Sequence, residues 1–152
     1  MSPRLAKLRM LVSLRRRDVD RRARATAERT RLLDMAEAAR GQAVALVDAT
    51  AGDHARALAE RLRSPADPVV GLFCQCCGDK LREARQALVN TERAVAAAVE
   101  AVTEARRQWL RAQARLDALA VMLARATSEH RRAAERRRLD AVIEDRRAPV
   151  FA

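Results

Sequence analysis

A chain of 152 residues with two Phe, one Trp, no Tyr, four Gly and four Pro lacks the bulky apolar and turn-forming residues of a thick globular core or a β-rich fold. Its abundance of Ala, Arg, Leu and Glu favours helix, and no run approaches the ~18 apolar residues of a membrane span. The net charge of +11, carried almost wholly by Arg, suits an acidic protein surface, a nucleic acid or an anionic membrane.

Ser2-Pro3 opens the first helix, with Ser2 as N-cap and Pro3 at the first helical position. The next proline is Pro65, so a helix is expected over about 3–63. Gly41 and Gly52 lie inside it, and each costs about 1 kcal/mol in a helix interior, which makes this the looser arm. Residues 1–12 are interrupted by Arg4, Lys7 and Arg9 and carry no signal-peptide core, so a soluble, cytoplasmic protein is expected. Leu5, Val12, Val19, Thr26, Leu33 and Val47 fall on a seven-residue series that Arg40 interrupts. Three residues on lie Leu8, Ala36, Ala43, Thr50 and Ala57, but Arg15, Arg22 and Arg29 share that series.

Residues 64–79, SPADPVVGLFCQCCGD, hold two prolines and two glycines and read as a tip loop. Val69, Val70, Leu72 and Phe73 form an apolar patch there, which serves either to dock a partner or to close the end of the seam. Cys74, Cys76 and Cys77 have a cramped C-x-C-C spacing with no His nearby. Structural zinc needs four ligands, so these read as ordinary tip cysteines, with no metal and no cofactor expected.

The second helix is expected over about 80–147. Its large series, Leu81, Leu88, Val95, Val102, Trp109, Leu116 and Leu123, recurs every seventh position without a miss. Three residues after each comes a mostly small series, from Ala84, Thr91, Ala98, Ala105 and Ala112 on to Leu119, Ala126 and Ala133. A sustained heptad implies a supercoiled partner helix. Two arms and one connection therefore give an all-α fold, two long helices in an antiparallel coiled-coil hairpin, as one unit over 1–152. Setting large against small places Ala57 opposite Leu88, Thr50 opposite Val95 and Ala43 opposite Val102. Val47 then faces Ala98, and Val19 faces Ala126.

His54 and His130 fall on seam positions with no Ser or carboxylate constellation beside them. There is no Gly-rich phosphate loop, H-E-x-x-H or nucleophile elbow, so a non-enzymatic protein is expected. Charge is spread around both helices, without a basic region preceding a zipper or an aromatic stacking platform, so no specific nucleic-acid site is expected. Residues 4–31 hold eleven basic and three acidic residues, and 125–147 hold eight and five, so the excess is greatest near the termini. Periodicity and charge leave open a structural coiled-coil scaffold or a basic nucleic-acid-associated protein.

The segment EARRQWLRAQARLDALA (104–120) resembles the Trp-containing basic stretch in the second helix of the stalk proteins of bacterial type III secretion, the FliJ/YscO family. The closing RRRLDAVIEDRRA (136–148) is similar to that family's end: a basic run, an apolar-acidic pair, a short amphipathic turn and further basic residues. The resemblance implies a central stalk whose terminal end enters the hexameric secretion ATPase and couples it to the export gate, with secretion chaperones as further partners. It implies a protein that is monomeric alone and held at the cytoplasmic face of a secretion apparatus, either flagellar or an injectisome, the latter serving host interaction and virulence. Arg136, Arg137, Arg138, Arg146 and Arg147 would then meet the ring lumen. Arg15, Arg16, Arg17, Arg21 and Arg22 of the first helix would lie beside them.

Overall fold

The computed structural model describes residues 3–147. They form two long helices packed against each other as a helical hairpin, α1 (Pro3–Arg63) and α2 (Pro68–Arg147). The first helix ends as expected. Gly41 and Gly52 are accommodated within it, with open space where a Cβ would sit.

The second helix begins twelve residues earlier than the sequence pattern suggested, at Pro68 instead of residue 80. The connection shrinks from 64–79 to residues 64–67. The local cause is Asp67. Its Oδ1 accepts the Val69 N–H at 2.8 Å, which caps the helix start, and Pro68 occupies the first position, where no N–H is required. The Gly71 N–H then donates to the Asp67 carbonyl at 3.1 Å, the first α-helical bond of α2. Ser64 N–H to Glu60 O and Asp67 N–H to Ser64 O close the turn. Gly71 and Gly78 cost helix propensity but do not interrupt the ladder.

This early start slides the two helices by about two heptads relative to the expected pairing. Ala57 packs with Cys74 and Cys77 in one buried cluster, where Leu88 had been expected. The tip cysteines are thus seam residues. Cys74 continues the large series backward from Leu81, Cys77 continues the small series from Ala84, and all four are buried. Cys76 turns outward.

The hairpin divides into two compact units. In the first, formed by residues 25–106, the slide sets Leu81 level with Thr50, Leu88 with Ala43, Val95 with Ala36 and Val47 with Ala84. Large still meets small, which lets the backbones approach closely. Ala43, Ala57, Leu81, Ala84, Val95 and Val102 are its buried residues beside the two cysteines, while Leu33, Val47 and Leu88 are half-buried. The Thr50 and Thr91 hydroxyls donate to carbonyls one turn back, at 2.8 Å to Leu46 O and Leu88 O, so they need no partner across the seam.

The second unit joins α1 up to Arg24 with α2 from Arg107. Leu5, Val19 and Ala112 are its buried residues, and Trp109, Leu116 and Leu123 are half-buried. The ion pairs Arg21–Asp18, Arg22–Asp18, Arg56–Asp53, Arg63–Glu60 and Arg82–Asp79 each join residues three or four apart on one helix. Such pairs contribute only about 0.2–0.5 kcal/mol each. Apolar burial along the seam therefore carries the hairpin.

Candidate partner-binding site

The two expected arginine clusters do not lie side by side. Arg22, on a seam position of α1, lays its side chain across to α2. Its Nη1 donates to Gln108 Oε1 at 3.1 Å and its Nε to Asp18 Oδ2 at 3.1 Å. Hydrogen bonds from Arg21 and Arg22 hold the Asp18 carboxyl below the usual carboxylate range. Arg22 thus sits in the layer of Trp109, and by the same register Arg15 sits level with Leu116. Arg15, Arg16, Arg17 and Arg21 are exposed.

Arg136, Arg137, Arg138 and Arg146 lie further along α2, also exposed. Arg147 ends the helix, and its side chain lies outside the described residues. At 1.5 Å per residue, Arg136 stands about 30 Å along α2 from the layer of Arg15. The separation follows from the slide. Bringing α2 forward by two heptads leaves the first described turn of α1 level with Glu129, His130 and Ala133, around which Arg4 and Leu5 gather.

Beyond that level α2 continues without cover. Every residue from Glu135 to Arg146 is exposed. Within this stretch Leu139, Val142 and Ile143 share one face at spacings of three and four, and they are 63%, 52% and 49% exposed. The terminal segment therefore presents a narrow apolar stripe set among arginines. Sequence reasoning had marked its charges but not its lack of a partner helix. That property depends on the register.

The tip residues are helical and divide between two faces. Val70 turns toward the seam and is half-buried, whereas Val69, Leu72 and Phe73 are exposed on the first turns of α2 together with Cys76. Between Phe73, Cys77 and Lys80 of α2 and Thr50, Asp53 and Ala57 of α1 lies a depression of about 500 Å³. His54 lies on the other helix face, with Nε2 3.3 Å from where a Gly78 Cβ would stand. Gly78 is therefore the gap that admits the imidazole.

Among the described residues no group of three or more His, Cys, Asp or Glu is placed to hold a metal ion. No helix among them is long and apolar enough to cross a membrane. In comparisons with known protein families, curated proteins and solved structures, the chain matches none.

Proposed function

We propose that this chain is a non-enzymatic central stalk of a bacterial type III secretion ATPase. In this reading the terminal part of α2 enters the hexameric ring, and the hairpin couples the ring to the export gate at the cytoplasmic face of the apparatus. The observation that carries the reading is the uncovered end of α2. There Arg136, Arg137, Arg138 and Arg146 surround the exposed stripe of Leu139, Val142 and Ile143, beyond the last residues that pack on α1. A helix with no partner among the described residues, basic on its flanks and apolar along one line, is suited to a ring lumen that supplies both acidic and apolar surface. One asymmetric helix can engage only some subunits of a six-fold ring at a time, so it can bias ATP turnover without an active site of its own. The exposed Val69, Leu72 and Phe73 are the surface we assign to the export gate, with secretion chaperones as further partners.

The test is reconstitution with a hexameric secretion ATPase. Copurification and stimulated ATP hydrolysis are expected, and both should be lost on replacing Arg136, Arg137 and Arg138 with Glu. Absence of binding and of stimulation by the unaltered chain would overturn the reading. A steep salt-dependent affinity for DNA, lost in the same triple variant, would favour a nucleic-acid-associated protein instead.

A further inference from the structure

Two separate depressions flank the seam within residues 4–22 of α1 and 108–129 of α2. A groove of about 470 Å³ there has an apolar floor of Leu8, Leu11, Met122 and Ala126. Its rim is Arg4, Lys7 and Arg125, with Glu129 as its one acid. Leu11 and Met122 remain 44% and 51% exposed, so the floor is open to solvent.

A second depression, about 300 Å³, is lined by Arg22, Gln108, Arg111, Ala112 and Arg115. Each of its α2 residues lies two heptads before a residue of the first groove: 108 before 122, 111 before 125, 112 before 126 and 115 before 129. Arg22 likewise lies two heptads after Leu8, and Arg15 occupies the same heptad position midway. Whole heptads preserve the face, so both depressions open on the same side of the seam, about 21 Å apart along α2.

This face is strongly one-signed. Its acids are Glu129 and Asp18, and Asp18 is already held by Arg21 and Arg22. Arg4, Lys7, Arg111, Arg115 and Arg125 make no ion pair among the described residues. Uncommitted cations beside an exposed apolar floor at coiled-coil spacing match an acidic helix with an apolar ridge. A polyanion would satisfy the cations but bring nothing to cover Leu11 and Met122.

We infer that this face docks an acidic amphipathic helix of a partner protein, completing a local three-helix bundle. The span between the two depressions corresponds to about four turns of the incoming helix. That helix would carry apolar residues at spacings of three and four, with Asp or Glu on both flanks to meet the arginines. Docking here is independent of the stalk reading, because it uses none of the residues beyond Glu129.

The probe is a fluorescent peptide of three heptads with Leu at the two seam positions and Glu at the flanking ones. It is titrated into the full-length protein at physiological salt and followed by anisotropy. A shuffled peptide of identical composition controls for the net charge of +11. The ordered peptide should bind at least tenfold more tightly than the shuffled one. Replacing Arg4, Lys7 and Arg125 with Glu should weaken it at least tenfold, and replacing Leu11 and Met122 with Gln should do the same. Charge reversal at Arg31, Arg40 and Arg93, all exposed and away from the groove, should change it less than threefold.

Equal binding of the shuffled peptide would overturn the inference without recourse to any variant. So would an equal loss in the distant triple variant. A groove variant that keeps the peptide but loses phosphatidylserine vesicles or duplex DNA would assign the face to a polyanion. Self-association of the unaltered chain, abolished by the groove variant, would assign it to a second copy.

Discussion

Ala57 is the most completely buried residue of the seam, with no exposed surface, and it packs against Cys74 and Cys77. Replacing it with Leu adds three carbons, which would be worth about 0.8 kcal/mol each if they could be buried without distortion. Ala57 is fully buried against Cys74 and Cys77, so the added atoms press on them and the helices separate locally. The cost of such overpacking is about 1–3 kcal/mol. Its origin is tested by a second substitution. Cys74→Ala removes the sulfur opposite and reopens volume, so the Ala57→Leu/Cys74→Ala chain should be more stable than the two single losses predict, by about 1 kcal/mol. Leu88→Ala should give no such coupling, because Leu88 lies two heptads away in the observed register. Urea unfolding followed by helical circular dichroism measures the six stabilities of the two cycles, with a constant denaturant slope as the check that only stability has changed. Coupling of Ala57→Leu to Leu88→Ala, with none to Cys74→Ala, would refute the register and restore the longer tip loop.

Further expectations follow from single positions. Gly41→Ala should stabilise the chain by about 1 kcal/mol through helix propensity, whereas Gly78→Ala should gain less, because its Cβ would press on the His54 ring at 3.3 Å. Thermal unfolding of the two variants in parallel checks the difference. Asp67→Ala removes the cap on α2 and should cost about 1 kcal/mol, measurable by the same unfolding. Cys76 should alkylate rapidly in the folded protein, while Cys74 and Cys77 should react only on unfolding; mass spectrometry of timed samples distinguishes the three. Asp18 should titrate below its usual 3.8, because the two arginines favour its charged form. Its contribution is therefore present above the unfolded-state pKa and is lost as pH falls through the lower folded value. A carboxyl carbon titration by NMR reads that midpoint, and a normal value would mean the Arg21 and Arg22 bonds do not persist in solution.

The two helices were legible because an unbroken heptad from Leu81 to Leu123 demands a partner helix along its whole length. The pairing of large with small was legible for the same reason. Its absolute register was not, since sliding by whole heptads exchanges Leu88 for Cys74 opposite Ala57 and leaves the size pattern nearly intact. What selects one slide from the others is the length of the turn. The turn is short because Asp67 caps α2 with Pro68 at its first position, the pattern that the sequence alone suggested at Ser2-Pro3, where Ser2 lies outside the described residues. The glycines at 71 and 78 obscured that signal, although nothing in a helix forbids them at a modest cost in propensity. The terminal arginines were legible as charges, but their separation into two places depended on the slide. The open groove at Leu11 and Met122 was hidden because its residues fall beside the seam, where periodicity alone does not tell a covered flank from a bare one.

The uncovered end of α2 also has a thermodynamic consequence. A stretch of about twelve residues with no packing against other described residues is near the length at which a helix in water is only marginally stable. Its amides should therefore exchange with solvent fastest among the described residues, independently of the rest of the hairpin. Any partner that seats there must supply the ordering free energy that α1 supplies elsewhere. Its arrival would be visible as slowed exchange from Glu135 to Arg146, a signature of binding that requires no change of fold.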